Sequence, residues 1–452
     1  MQNIVNKQRE FFNSNITKDV DFRIQQLKKL ERVLNENETL LHEAIYADYK
    51  KSSYDNYTNE LALIYHDIRD AIEHIRKWSK IKRVKTNILN FPAKSYVVPE
   101  PLGVSLIMGA WNYPYQLSFA PAVAAMAAGN TIILKPSEVP KNTSNAIASL
   151  INNNFESNYF AVIEGGISET TELLNQKFDK IFFTGSVPVG RIVYQAAAKN
   201  LTPVTLELGG KSPAFITEHC DLDVTAKRLV WSKFLNAGQT CIAPDYVLVH
   251  KSIKPQFLKR LKEEIENPHF SFKNDNYVQI INQRNMQRLI ELLQKEKIYS
   301  GGGYDAESRY FEPTIMTDIS FEDKVMQDEI FGPILPVIGY ENLDEAIAKV
   351  KERPKPLSCY VFTTDKQTRN KIIREISFGG GCINDAVMHI SNSQIGFGGV
   401  GESGMGNYHG ENGFKAFSHY KGILDKPTWF DPNLRYYPHT KRKFALLKFL
   451  LR

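Results

Sequence analysis

Three side chains between positions 112 and 241 have the chemistry to act together on a carbonyl group: the thiol of Cys241, the carboxylate of Glu207 and the amide of Asn112. Cys241 sits in Phe234-Leu-Asn-Ala-Gly-Gln-Thr-Cys-Ile-Ala-Pro, where Ala237 and Gly238 let the backbone come close to whatever the thiol meets. A lone cysteine is more often a small buried hydrophobe than a nucleophile. Acting as one requires activation and partners, so the rest of the chain must supply them. Glu207 closes the apolar run Val204-Thr-Leu and is followed by Leu208-Gly209-Gly210-Lys211. A carboxylate at the carboxyl end of a strand is placed for general-base work in a cleft, although the same residue can simply open a surface turn. Asn112, in Gly109-Ala-Trp-Asn-Tyr-Pro, follows another strand end. Its amide can donate to an oxyanion formed when a thiolate attacks a carbonyl, or can serve as a turn former before Pro114.

Phosphate and ribose contacts are the next candidates. Phe183-Thr-Gly185-Ser186-Val-Pro-Val-Gly190 reads as strand, glycine turn and helix start, a helix N-terminus that offers free N–H groups to a phosphate. Lys135 and Glu138 end the strand that starts at Thr131 and can hydrogen-bond ribose hydroxyls. The G-x-G-x-x-G fingerprint occurs elsewhere, at Gly396-Phe-Gly398-Gly399-Val-Gly401. No strand precedes it, no helix follows, and too little chain remains for a βαβ unit, so it is read as a tight loop against another part of the site. The ten histidines form neither H-E-x-x-H nor a ligand set with the four cysteines, and no ATP-type phosphate loop is present. No metal is expected.

These residues need strands and helices to hold them. Short apolar strands at Val104–Met108, Thr131–Leu134, Phe160–Ile163, Ile181–Phe183 and Val204–Leu206 alternate with helical runs at Leu117–Ala128, Thr143–Asn152 and Val189–Ala198. That alternation means right-handed βαβ units and a largely parallel sheet, which binds ligands at the carboxyl ends of its strands. A second series follows: helix Val224–Leu235, strand Tyr246–His250, helix Pro255–Glu266, then strands and helices from Ile334 to Ile376. The first 80 or so residues read as helices, including Arg23–Leu41 and Leu61–Trp78, and the basic stretch Arg76–Lys85 reads as a solvated helix end before an extended segment. The fold expected is α/β, with two sheet-based lobes and a smaller accessory piece.

Composition bounds the rest. At 452 residues, 42% hydrophobic and 23% charged, the chain is an ordinary globular protein of roughly two to three domains, which excludes disorder and small disulfide scaffolds. Fifty-six basic against fifty acidic side chains give +6, too thin an excess to argue for nucleic acid. The longest weakly polar stretch, Leu117–Gly129, contains Pro121 and falls short of the ~20 apolar residues a bilayer span requires. The first twelve residues carry no apolar export signal, and the four cysteines are widely spaced, so a cytoplasmic location is expected.

Taken together, Asn112 in its Trp-Asn-Tyr-Pro loop, Lys135-Pro-Ser-Glu138, Phe183-Thr-Gly-Ser186, Glu207-Leu-Gly-Gly-Lys-Ser-Pro213 and Gly238-Gln-Thr-Cys241 stand in the order and spacing of NAD(P)-dependent aldehyde dehydrogenases. Glu329-Ile-Phe331-Gly-Pro and Phe397-Gly-Gly-Val-Gly-Glu-Ser-Gly404 continue a resemblance that spans roughly Phe12 to Lys421. The short N-terminal lead, Cys241-Ile-Ala-Pro-Asp-Tyr246 and Gly404-Met-Gly-Asn-Tyr-His-Gly410 are similar to the class 3 branch, which includes fatty-aldehyde dehydrogenases. The resemblance implies two open twisted sheets, a Rossmann-like cofactor domain (1–78 and 100–207) and an α/β catalytic domain (208–392), with a bridging segment and tail (79–99 and 393–452) that make a homodimer. It implies that Cys241 attacks the aldehyde, that Asn112 and the Cys241 N–H hold the oxyanion, and that Glu207 activates the water that releases a carboxylic acid. Lys135 and Glu138 would hold the adenosine ribose. Gly185 and Ser186 would hold the pyrophosphate region and Glu329 with Phe331 the nicotinamide ribose, with Gly190 and Leu208 also among the cofactor-binding residues. NAD is the expected cofactor with NADP accepted, since a carboxylate at Glu138 repels a 2′-phosphate but can move away.

Two rival readings are weaker. An acylating relative would pass the acyl group to coenzyme A or phosphate, which a water-activating Glu207 argues against. A silent structural protein on the same fold would not explain Cys241, Glu207 and Asn112 together. Trp111, Tyr113 and Tyr115 suggest an apolar funnel for medium or long aliphatic or aromatic aldehydes. The basic, apolar tail Lys441–Arg452 is expected to dock on the partner subunit or its own core, with peripheral contact to an anionic membrane the less favoured reading.

Overall fold

The computed structural model describes residues 1–266, 270–271 and 276–451. Its centre is a six-stranded sheet in the order Gly404–Met405, Val204–Glu207, Lys180–Thr184, Val104–Met108, Thr131–Lys135 and Phe160–Val162. The five longer-range strands run parallel, and Gly404–Met405 pairs antiparallel at one edge. Every residue of Val104–Met108, Thr131–Lys135 and Lys180–Thr184 is buried, as expected where helices cover both faces of a parallel sheet. The helix Gln116–Ala128, apolar nearly all round, is buried nearly all round and stops at Gly129, whose φ of 95° suits a helix end.

A seven-stranded sheet forms the second lobe, in the order Ile298–Ser300, Thr314–Met316, Ile334–Tyr340, Tyr246–His250, Pro213–Ile216, Ser358–Phe362 and Gly380–Ile383. Only its first pair is antiparallel. A third, three-stranded antiparallel sheet joins Lys82–Val84, Lys94–Pro101 and Ser418–Asp425, bringing the extended segment before the first core strand against a segment near the C-terminus. This is the mixed α/β architecture expected, with two twisted sheets and a smaller one. Gly404–Met405, grouped on sequence with the bridging piece, instead extends the six-stranded sheet.

Several local expectations shift. Arg23–Leu41 is two helices, Val20–Glu36 and Glu38–Tyr49, divided at Asn37, whose backbone leaves the helical region. Only Arg76 and Lys77 of the basic stretch belong to a helix end, while Lys82–Val84 is an exposed edge strand, where Lys and Arg discourage pairing with another chain. Leu61 closes a π-helical turn, Tyr57–Leu61, inside the run of helix that continues as Ala62–Trp78. The C-terminal helix Lys441–Leu450 has no buried residue, so it does not dock on the chain's own core. Among the described residues no helix is long and apolar enough to cross a membrane.

Candidate active site

Parallel strands in register deliver their loops to one edge. Met108 pairs with Lys135 and with Phe183, and Thr184 with Glu207, so the loop carrying Asn112, the Lys135–Glu138 turn, Gly185-Ser186 and Glu207 all emerge side by side. They border a cavity of about 630 Å³ together with Leu208, Cys241, Glu329 and Phe331. Gly190 does not border it. A Cβ there would lie 2.7 Å from Leu208, so this glycine instead lets the helix Val187–Ala198 pack tightly against the strand end.

The thiol reaches this edge from the other lobe through an unusual turn. Asn236, Ala237 and Gly238 all have φ near +50° to +70°, a left-handed run that costs the two non-glycine residues of the order of 1–3 kcal/mol each. A Cβ on Gly238 would come within 2.3 Å of the Gly332 carbonyl oxygen, so the backbone approach next to Phe331 requires glycine. The turn is tied down by polar bonds: Gln239 Nε2 donates to the carbonyls of Asn236 and Gln279, and its Oε1 accepts from the Ile281 N–H. Asn112 Nδ2 donates to the Gln239 carbonyl at 3.0 Å, and the Asn112 carbonyl accepts from Asn236 Nδ2 and the Tyr49 hydroxyl.

Burial raises the proton affinity of all three acidic groups here. The Cys241 thiol is pushed up to about 12 by desolvation, with the charges of Glu329 and Glu207 adding to it. Glu207 is held well above the ordinary carboxylate range by burial, and both of its carboxylate oxygens are buried without a hydrogen-bond partner. Glu329 is raised to about 8 by burial and then by Asp245, with the Gly210 N–H, Lys211 and Arg288 pulling the other way. Glu329 rests on Gly209, where a Cβ would meet its Oε2 at 2.0 Å. A carboxylate whose proton affinity is raised by burial takes a proton more readily than an exposed one, which is what a general base needs.

The residues suit a dinucleotide. Lys135 Nζ donates to Glu138 Oε2 at 2.9 Å, and although burial alone would raise Glu138, that bond and charge bring it below its usual value. A charged carboxylate and an ammonium side by side match a ribose diol. Ser186 occupies the N-cap position of the helix Val187–Ala198 without a side-chain capping bond, and Gly185, Ser186 and Val189 border the cavity at this helix N-terminus. Phe331 meets Trp111 edge-on at 5.3 Å between ring centroids, forming an aromatic wall. Asn285 and Arg288, on the helix Gln283–Ile290, also border the cavity. Sequence reading passed over them because their helix pattern resembles any solvated face.

A second cavity of about 290 Å³ meets the first at Cys241, Leu117 and Phe397. It is lined largely by apolar side chains, among them Leu63, Trp231, Leu235, Ile242, Val387 and Ile390. Of the three aromatics expected to form a funnel, only Tyr113 lines it: Trp111 faces the larger cavity, and Tyr115 is fully buried with its hydroxyl on the Leu41 carbonyl. Phe397, from the Gly396–Gly401 loop, borders both cavities, and that loop is indeed no strand–helix unit. Among the described residues no group of three His, Cys, Asp or Glu side chains could hold a metal ion.

A lobe with nucleotide-binding topology and a thiol brought to its strand ends from a second lobe define an oxidoreductase of the aldehyde dehydrogenase fold. The model of the aldehyde dehydrogenase family matches residues 2–423, and the chain belongs to that family. It is similar to 4,4'-diaponeurosporen-aldehyde dehydrogenase of Staphylococcus aureus, 45% identical over 97% of this chain and 96% of that one. It is also similar to aldehyde dehydrogenase family 3 member A2 of Pongo abelii, 44% identical over 99% and 93%, which places it with the class 3 branch. The mouse "aldehyde dehydrogenase, dimeric NADP-preferring" is 43% identical over 94% of each chain. The solved "substrate bound state of Staphylococcus Aureus AldH" superposes with a TM-score of 0.97 at 44% identity, covering 100% of this chain and 99% of that one. The protein is therefore an NAD(P)-dependent aldehyde dehydrogenase.

Proposed function

We propose that the protein oxidises medium- or long-chain or aromatic aldehydes to carboxylic acids, with Cys241 as nucleophile, Asn112 as oxyanion donor and Glu207 as the base that activates water. The observation that carries this reading is the position of Cys241 where the two cavities meet, with Asn112 and Glu207 on the larger cavity's border. The thiol proton leaves to the Glu207 or Glu329 carboxylate and on to solvent, and the thiolate attacks the carbonyl carbon to give a thiohemiacetal. The Asn112 amide and the Cys241 N–H hold the oxyanion. A bound nicotinamide would supply the hydride acceptor through which the thiohemiacetal becomes a thioester. Glu207 then takes a proton from water, whose oxygen attacks the thioester carbon and expels the Cys241 sulfur. Lys135 and Glu138 would hold the adenosine ribose, Gly185 and Ser186 the pyrophosphate, Leu208 the wall beside it, and Glu329 with Phe331 the nicotinamide ribose. Gly190 acts through packing against Leu208.

The apolar lining of the smaller cavity supports the substrate class. The charged Glu138 supports a preference for NAD, with NADP accepted when it turns aside. A homodimer is supported by the apolar side chains Ile81, Ile88 and Phe91 exposed around the three-stranded sheet, and by Phe444 and Phe449 exposed on the C-terminal helix, which would dock on the partner subunit. Four free cysteines fit the reducing cytoplasm.

The test is turnover of NAD with a ladder of aldehydes from acetaldehyde to dodecanal and benzaldehyde. Cys241→Ala is expected to abolish turnover, and Glu207→Gln to leave at most a single burst of reduced cofactor. A preference for short or phosphorylated aldehydes overturns the substrate class, and full turnover by either variant overturns the mechanism.

A further inference from the structure

A fully buried ion pair lies just behind the loop that carries Asn112. Lys51 Nζ donates to Glu60 Oε1 at 2.6 Å, with the two side chains 1% and 0% exposed. Glu60 belongs to the π-helical turn Tyr57–Leu61, a local irregularity that adds a residue to a helical turn and is frequent at functional sites. The same turn contributes Thr58 and Asn59 to the smaller cavity. Two buried charges are costly to desolvate and stabilise a fold poorly as a pair, so their placement calls for a reason beyond stability.

Their other contacts supply it. Glu60 Oε2 accepts from the backbone N–H of Tyr115 at 2.8 Å and of Gln116 at 3.2 Å. These are amides at the start of the helix Gln116–Ala128, which lack partners within the helix and favour a negative charge. Lys51 Nζ lies 4.2 Å from the centre of the Tyr113 ring, and the Tyr113 hydroxyl meets Thr240 Oγ1 at 2.6 Å, next to Cys241. One ion of the pair thus holds the backbone just beyond Asn112, and the other holds the ring that reaches the residue beside the thiol.

We propose that Lys51 and Glu60 are positioning residues that keep the Asn112 amide and Cys241 in register for oxyanion binding. The inference rests on the reading of Asn112 as oxyanion donor. Asn112 and Cys241 come from different lobes, and a displacement of about 1 Å between reacting groups costs of the order of 100-fold in rate.

The test is a mutant cycle on the full-length enzyme, with NAD and octanal as the probe substrate. Lys51→Met/Glu60→Met removes both charges together, leaving no unpaired ion. It is expected to lower kcat at least tenfold while the NAD dissociation constant, measured by fluorescence without turnover, stays within twofold. On an Asn112→Ala background the same pair of changes should cost less than threefold more. Lys51→Met/Glu60→Gln, which keeps an acceptor for the Tyr115 N–H but not the cation over the Tyr113 ring, should recover only part of kcat and stay at least threefold below the parent. A kcat within twofold of the parent overturns the proposal, and so does an equal loss with and without Asn112. If the Met/Met variant does not fold, the Met/Gln variant takes its place in the cycle, where any loss must again vanish on the Asn112→Ala background. Asn112→Ala with unchanged kcat would instead defeat the oxyanion reading, a result separate from either outcome for the pair.

Discussion

The side-chain amide of Asn112 donates to the main-chain carbonyl of Gln239 at 3.0 Å, bonding a strand-end loop of one lobe to the turn that presents the thiol from the other. The same amide nitrogen has a second hydrogen, so it can hold the turn and still serve an oxyanion on Cys241. Catalytic geometry here depends on the fit of two lobes, each of which supplies part of the site.

Rate against pH follows from the raised carboxyl groups. Glu207 and Glu329 work as bases only when deprotonated, and burial raises both, Glu329 to about 8. Activity should therefore climb with pH through neutrality, close to tenfold per unit on the acid side, and not level off near pH 5 as ordinary carboxylates would. The measurement is kcat/KM for octanal from pH 5.5 to 9.5 at saturating NAD. A flat profile between pH 6 and 8 contradicts it.

Stability should move in the opposite direction. A carboxyl whose folded-state proton affinity is raised binds more protons folded than unfolded, so folding weakens as pH rises past the unfolded value of about 4.3. Below that value the contribution is fully present. Glu207→Gln removes the penalty, so its melting temperature should match the parent near pH 4.5 and exceed it by a degree or more at pH 8. Thermal unfolding at the two pH values checks this, and a variant less stable at pH 8 than the parent would refute it.

Cofactor choice should turn on Glu138. Its carboxylate is paired with Lys135 and charged at neutral pH, so it repels a 2′-phosphate. Glu138→Gln keeps the hydrogen-bonding shape and removes the charge. The ratio of kcat/KM for NADP to that for NAD should rise at least fivefold, chiefly through KM for NADP, and an unchanged ratio would place the adenosine ribose elsewhere.

Much of this was readable before any coordinates. Glu207 and Lys135 close their strands and Gly185 follows its own, because apolar β-runs and the polar or glycine residues that end them are local patterns. Those parallel strands bring their ends together by register alone. What the chain does not announce locally is which side chains face inward. Trp111, Tyr113 and Tyr115 alternate along five residues and are chemically alike, yet one faces the larger cavity, one the smaller cavity and one the core.

Glu60 shows the limit most plainly. In Tyr57-Thr-Asn-Glu-Leu it reads as one more polar residue on a helix, and only the π-helical turn and the approach of Lys51 make it a buried anion under the active-site loop. Strand positions, turn chemistry and the candidate nucleophile were written in residues near one another in the chain. The partnership of Cys241 with Asn112, the empty space around them and the charges behind them were decided by packing between distant segments, because burial and proton affinity depend on neighbours that sequence proximity does not supply.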